Sequence, residues 1–79
     1  PDTRTAPEWE YENLGKIITD FLQAEKEDVR NVFIRKYYFF DSISDIAGRY
    51  SFSESKVKNM LYHSRNRLKI YLKKAGVEV

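Results

Sequence analysis

The stretch "DSISDIAGRYSFSESKVKNMLYHSRNRL", residues 41–68, contains two apolar patterns of helical spacing separated by a short polar segment. Its first part predicts a short helix with Ser42 as the cap and an apolar face of Ile43, Ile46, Ala47 and Tyr50. After the polar segment "YSFSES", a longer apolar repeat begins and continues past this stretch: Val57, Leu61, Ser64, Leu68, Tyr71 and Leu72. The stretch therefore predicts a short helix, a tight turn and a long helix.

Two serines compete to start the long helix. If Ser51 caps it, Glu54 stands three residues later and completes a capping box. If Ser53 caps it, Phe52 and Val57 form a hydrophobic staple, and Glu54 lies in the first turn, where the helix dipole favours an acid. The second arrangement leaves Tyr50–Phe52 as a three-residue turn whose apolar residues point inward. We therefore favour Ser53.

The rest of the chain adds two more amphipathic helices. The first begins at Glu12 and has an apolar stripe of Leu14, Ile17, Ile18, Phe21 and Leu22. The second runs to about Phe39, with core positions at Val29, Val32, Phe33 and Tyr37. Residues 1–11 hold both prolines and are predicted to be a tail or linker, with no place assigned to Trp9 and Tyr11. Residues 12–76 are then one all-α domain of four helices, the third of them short, ending at Gly76.

Composition excludes several classes of function. The 79 residues include no cysteine and one histidine, so disulfides, thiolate metal sites and histidine clusters are excluded. No apolar run is long enough to span a membrane, and no secretory signal pattern opens the chain. We expect a cytoplasmic protein that is not an enzyme, with no cofactor and no metal.

Charge is unevenly distributed along the chain. Residues 1–40 carry six basic and eight acidic side chains, whereas residues 41–79 carry eight basic and four acidic ones. The segment 54–74 has seven basic side chains and a single acid, Glu54. A solvated helix face would also show such a run, but the asymmetry suggests a polyanionic partner on one side.

A short helix joined by a tight turn to a longer, basic helix is typical of a helix-turn-helix, here residues 42–64. With Val57 and Leu61 in the core, the opposite face of the last helix carries Ser55, Lys56, Lys58, Asn59, Tyr62 and His63. Lysine can bind guanine, asparagine can pair with adenine, and hydroxyls can bind base or phosphate. The start of the helix at Ser53 offers backbone N–H groups to a phosphate, and Arg65, Arg67 and Lys69 suit the flanking DNA backbone. An exposed surface histidine and partial core packing of Tyr62 remain the structural alternatives at those two positions.

Roughly residues 14–74 resemble region 4 of bacterial sigma factors, the sigma-70 family and especially its small alternative members, and the matching motif positions lie between Arg30 and Leu68. That family follows R-x-V-F-x-x-R-Y-F, S-x-x-E-I-A, a turn, S-x-x-x-V-K and L-x-x-x-R-x-x-L. This chain supplies, without gaps, Arg30, Val32, Phe33, Lys36, Tyr37, Tyr38, Ser42, Asp45, Ile46, Ala47, Ser53, Val57, Lys58, Leu61, Arg65 and Leu68. It departs from the pattern at Phe40, where a glycine is common, and at Ser51, which replaces the turn glycine.

The resemblance implies a winged-less, four-helix helix-turn-helix domain with a long C-terminal recognition helix. It implies promoter −35 recognition for RNA polymerase, with DNA contacts from Lys58, Asn59, Tyr62 and His63 and backbone contacts from Lys36 and Ser44. It also implies docking on the β-subunit flap of the polymerase, for which Tyr38 and Phe39 are candidates, and a possible anti-sigma partner. The domain itself is expected to be monomeric.

Two other interpretations remain open. The chain could be the output domain of a response regulator or a stand-alone helix-turn-helix regulator. It could also be a protein-interaction module, since small sigma-region-4-like proteins associated with the signal recognition particle keep this shape. Salt-dependent binding to duplex DNA separates the DNA-binding interpretations from the last one.

Overall fold

The computed structural model describes residues 8–77, with side chains from residue 13 onward. Within this range the chain forms four helices and no strand, which confirms the predicted all-α class. They are α1 (Glu8–Ala24), α2 (Glu27–Tyr37), α3 (Ile43–Tyr50) and α4 (Glu54–Lys74). As predicted, α3 is short, with eight residues, and α4 is the longest, with 21.

The first helix begins earlier than the sequence pattern indicates. It starts at Glu8, four residues before the predicted start at Glu12, so residues 8–11 are helical rather than part of a tail. The missed signal is Pro7 followed by Glu8 and Glu10, because proline and acids are both favoured at a helix start. The remainder of the predicted tail, residues 1–7, and the side chains of Trp9 and Tyr11 lie outside the described part.

A single arginine joins the end of α1 to α2. The Arg30 guanidinium donates to the carbonyl oxygens of Leu22, Gln23 and Glu25 at 3.4–3.5 Å. These carbonyls belong to the last turn of α1 and its exit, where backbone acceptors lack partners within the helix. Arg30 therefore caps α1 and holds the α1–α2 corner in place.

The core consists of two neighbouring clusters that meet at α2. In the first, Val32 packs with Ile46, Ala47, Val57 and Leu61, all buried. In the second, Phe33 packs with Phe21 and Leu22, and the partly buried Leu68 covers them. Adjacent residues on α2 thus face different clusters, and α4 contributes to both. The predicted apolar faces of all four helices thus contribute buried residues, and α4 contacts each of the other three helices.

The connection between α3 and α4 has the backbone of a left-handed helix terminus. Ser51 has φ 57° and ψ 39°, and the N–H of Phe52 donates to the carbonyl of Ala47 at 2.9 Å. This six-to-one bond is the Schellman arrangement that usually has glycine at the left-handed position. Phe52 is half-buried against the cluster of Ile46 and Val57, so the turn folds its apolar residue inward.

The N-terminal caps of α3 and α4 are the serines that the sequence predicts. The hydroxyl of Ser42 accepts from the Asp45 N–H at 3.0 Å, and that of Ser53 accepts from the Lys56 N–H at 3.0 Å. The prediction that Ser53 rather than Ser51 starts α4 is confirmed. At its other end, Gly76 has φ 84° and the Val77 N–H donates to the carbonyl of Leu72, which closes the helix.

Two predicted core aromatics lie at the edge instead. Tyr37 and Tyr71 are each more than one-third exposed, although Tyr71 packs its ring 5.5 Å from that of Phe21. The predicted extension of α2 to Phe39 is also two residues too long, because the chain turns after Tyr37 and Phe40 adopts φ 57°. Among residues 8–77, no helix is long and apolar enough to cross a membrane.

Replacing Ser51 with glycine should stabilise the fold. An L-residue in the left-handed region costs about 1–2 kcal/mol, and the extra freedom of glycine in the unfolded chain offsets part of this. We expect Ser51→Gly to raise the free energy of unfolding in urea by up to about 1 kcal/mol. The matched control is Ser44→Gly, an exposed position inside α3, which should lower stability by about 0.5 kcal/mol. A loss of stability in Ser51→Gly would contradict the left-handed assignment.

Candidate nucleic-acid interface

The candidate site is the face of α4 that points away from the core. Val57, Leu61 and Ser64 are buried, and they recur at the spacing of one helix face. Ser64 satisfies its own hydroxyl by donating to the carbonyl of Leu61 at 3.1 Å, so a small polar residue sits in the core without an unpaired group. Because this stripe faces the core, the side chains on the other side of α4 face solvent.

The start of α4 is built to present backbone N–H groups. Ser53 and Ser55 are exposed, and Ser53 uses its hydroxyl to cap the Lys56 N–H. The Lys56 ammonium lies 4.0 Å from the centre of the Phe52 ring, within the range of a cation–π contact. Phe52 is itself held by the core, so the turn positions both the helix start and its first cation.

Three rows of side chains run along the exposed part of α4. The middle row, opposite the core, is largely uncharged and consists of Ser55, Asn59, Tyr62 and Asn66, all exposed. Tyr62 is 56% exposed, so the alternative of core packing at this position is excluded. Its ring lies 5.3 Å from the ring of His63 in an edge-on arrangement. Asn59 and Tyr62 therefore project into solvent between two basic flanks.

The first of these, the Lys58 flank, consists of Lys58, Arg65 and Lys69, which recur at helical spacing and are exposed. The Arg65 guanidinium donates to the hydroxyl of Tyr37 at 2.8 Å, which ties this flank to the end of α2. Lys36, partly buried, is in the last turn of α2 beside Tyr37. Ser44 is exposed in the first turn of α3. The end of α2 thus meets this side of α4.

The second, the Lys56 flank, consists of Lys56, His63 and Arg67, all exposed. It borders an open concavity of about 520 Å³ between α4 and the beginning of α2, whose lining is Val29, Ser53, Ser55, Lys56, Asn59, Met60, His63 and Arg67. Arg67 is not free here, because its Nε donates to a carboxylate oxygen of Glu25 at 2.8 Å. Glu27 and Asp28 are exposed in the first turn of α2 next to Val29. The Lys56 flank therefore lies close to acids, whereas the Lys58 flank meets the tyrosine-rich end of α2.

The chemistry available on α4 is that of binding. Ammonium, guanidinium, amide and hydroxyl groups converge on one surface, and these are the donors that bind phosphates and base edges. Within residues 8–77, no group of three or more His, Asp or Glu side chains is placed to hold a metal ion. The surface offers hydrogen-bond donors and positive charge to a polyanion.

Sequence reasoning placed the exposed site residues of α4 correctly but missed two features of their setting. Ser55, Lys56, Lys58, Asn59, Tyr62, His63 and Arg65 are all exposed, and Lys36 and Ser44 lie on α2 and α3. The pairing of Arg67 with Glu25 was not foreseen, since the residues are 42 positions apart. The hydrogen bond from Arg65 to Tyr37 was also missed, because Tyr37 matched a core position in the apolar pattern.

Comparisons with protein-family models and with curated proteins found no match to this chain. The resemblance to sigma region 4 therefore rests on the spacing of the chain's own residues between Arg30 and Leu68. What residues 8–77 establish by themselves is an all-helical domain whose longest helix exposes an uncharged row between two basic flanks.

Proposed function

We propose that this domain binds double-stranded DNA sequence-specifically, as the module of an RNA polymerase sigma factor that reads the promoter −35 element. In this proposal α3 and α4 are the two helices of a helix-turn-helix. The recognition helix α4 enters the major groove, and the domain acts as a monomeric, non-enzymatic reader in the cytoplasm. The observation that carries the proposal is the exposed row of Ser55, Asn59 and Tyr62 between two rows of cations.

The geometry of α4 suits the major groove, which is wide enough to admit a helix. An amide at Asn59 can pair with adenine, and Lys58 can donate to guanine O6 and N7. Tyr62 and His63 are one turn further along, where bases of the next steps would lie. The capped helix start at Ser53, with Ser55 and Lys56, is suited to a phosphate at the edge of the groove.

Backbone contacts would hold α4 in register. Lys36 and Ser44 are candidates on the side of the Lys58 flank, together with Arg65. The Tyr37 hydroxyl accepts a hydrogen bond from Arg65 and leaves the other guanidinium N–H groups free to reach a phosphate. On the Lys56 flank the nearby acids Glu25, Glu27 and Asp28 weaken the attraction to DNA. The Lys58 flank is therefore the better electrostatic partner for the DNA backbone.

A second surface supports docking on the polymerase β flap. An apolar groove of about 330 Å³ between α1 and the end of α4 is lined by Phe21, Ala24, Glu25, Arg67, Ile70, Tyr71 and Lys74. Ile70 is 55% exposed there, next to Tyr71, which is 37% exposed. The sequence-based candidates Tyr38 and Phe39 are exposed too, but they lie beside the proposed DNA contacts of α3. We therefore assign the flap, or an anti-sigma protein, to the groove, which can stay open when α4 is on DNA.

The same groove is the observation that favours a protein-interaction module as the second candidate function. An apolar depression flanked by charged residues suits an amphipathic helix of a partner protein. If this were the only function, the chain would associate with a protein and leave duplex DNA unbound.

The base-reading role predicts unequal effects of substitutions along α4. Lys58→Ala and Asn59→Ala should each relax base preference at one or two positions and cost roughly 1–3 kcal/mol of binding free energy. Lys73→Ala, an exposed lysine on the last turn, removes the same charge as Lys58→Ala and should do much less. Selection of bound sequences from a random duplex pool, repeated for each variant, measures both effects. Equal losses in Lys58→Ala and Lys73→Ala, with no loss in the uncharged Asn59→Ala, would indicate non-specific electrostatics.

Binding should depend steeply on salt. Each phosphate neutralised by the basic flanks releases a counterion, so affinity should fall about tenfold or more for each few-fold rise in salt concentration. Fluorescence anisotropy with a labelled duplex across a salt series measures this slope. The absence of duplex binding at low salt, combined with capture of a β-flap fragment, would leave only the protein-interaction function.

A further inference from the structure

The most unusual local structure outside α4 is the loop between α2 and α3. Four consecutive aromatic residues, Tyr37–Phe40, end α2 and enter this loop. Tyr38, Phe39 and Phe40 are 58%, 57% and 85% exposed. Together they expose roughly 300–500 Å² of aromatic surface, which is as much as the largest apolar patch on a typical monomer. Exposed aromatic surface of this size on a small domain calls for a binding partner.

Phe40 has a strained backbone conformation. Its φ of 57° places it in the left-handed region, which is rare for a bulky residue and costs about 1–2 kcal/mol. Burial of the ring offers no compensation, since Phe40 is the most exposed large apolar residue of the described chain. Strained residues of this kind persist where the surroundings hold them, and they are concentrated at functional sites.

The surroundings do hold this loop. The Arg35 Nε donates to Asp41 at 2.7 Å, and the Asp41 N–H donates back to the Arg35 carbonyl at 3.0 Å. The Arg35 guanidinium also lies 4.1 Å from the centre of the Phe39 ring. One arginine thus fixes both ends of the turn around Phe40. It also compensates the charge of Asp41, the acid of the loop, so the backbone around Phe40 is held and the acid next to the ring is paired.

The position of the loop points to DNA as its partner. The hydrogen bond between Arg65 and Tyr37 joins the loop to the Lys58 flank of α4, the better of the two flanks for a DNA backbone. Phe40 is two residues before Ser42, the cap of α3, and Ser44 follows in the first turn. The eight residues of α3 put about 12 Å between the loop and the turn that begins α4. The loop therefore joins Lys36 of α2 to Ser44 of α3, the two proposed backbone contacts, at the end of α3 that is farther from the start of α4.

We propose that Phe40 is a second DNA-contacting residue, whose ring enters the minor groove next to the major groove read by α4. The inference rests on the proposed function. A DNA strand held by Ser44 and Lys36 has the major groove on one side and a minor groove on the other, and we assign the Phe40 ring to the latter. Apolar wedges, phenylalanine among them, enter minor grooves and partly unstack a base step. The ring supplies shape and apolar contact there, while the Lys58 flank supplies the charge.

The test compares two glycine substitutions that both relieve left-handed strain. Phe40→Gly removes the ring, whereas Ser51→Gly relaxes the other strained residue and leaves the loop intact, so both variants should fold at least as well as the parent. The probe is the duplex selected by the parent chain from a random pool, extended on both sides and carrying 2-aminopurine at successive flanking positions. Because neither substitution changes charge, the salt slope should stay the same in both.

We expect Phe40→Gly to bind this duplex about five- to fiftyfold more weakly than Ser51→Gly at every salt concentration. The rise in 2-aminopurine fluorescence at one flanking step should be present with Ser51→Gly and absent with Phe40→Gly. If the two variants bind with equal affinity while the parent chain still binds DNA, the proposed role of Phe40 is overturned and the proposed function is not. Failure of the parent chain to bind any selected duplex would overturn the proposed function and this inference together.

Discussion

The orientation of α4 is set by its packing against α2 and α3. Val57 and Leu61 are buried against Ile46 and Val32, and this contact fixes the rotation of α4 about its own axis. A rotation by one residue, about 100°, would bury Lys58 and expose Val57. Burying an unpaired lysine costs several kcal/mol, which is comparable to the whole stability of a small domain. The apolar stripe therefore decides which side chains α4 presents, although none of its members belongs to the candidate interface.

The turn between α3 and α4 fixes the angle between these two packed helices. Ser51 bends the chain in the left-handed conformation, Phe52 returns to the core, and Ser53 starts the next helix with its side chain. The three residues thus have different roles: the first bends the chain, the second packs against the core and the third caps the next helix. Serine at the first position is a compromise, since glycine would adopt the same conformation without strain. Among the described residues, Phe40 and Ser51 are the two non-glycine residues in this conformation, and both are exposed, but only Phe40 displays a large apolar side chain to solvent.

Local chemistry made much of this structure predictable from the sequence. The caps at Ser42 and Ser53, the stop at Gly76 and the core faces follow from residue type and helical spacing, which act over a few residues. Apolar periodicity does not predict the early start of α1, because the signal there is the proline and the acids that begin the helix. The partners of Arg65 and Arg67 were missed for a different reason: Tyr37 and Glu25 are distant in sequence and meet them only after α4 has packed. Exposure of α4 could be predicted, but the electrostatic difference between its two flanks could not.

We have proposed that the solvent-facing side of α4, held by this packing, binds duplex DNA. Amide chemical shifts recorded during titration with a selected duplex test it most directly, because they report contacts along the whole backbone at once. We predict that the largest changes occur in residues 53–65 of α4, with further changes at the beginning of α3, and that α1 is nearly unaffected. Changes concentrated around Phe21, Ile70 and Tyr71, with α4 unperturbed between Ser53 and Arg65, would contradict the account.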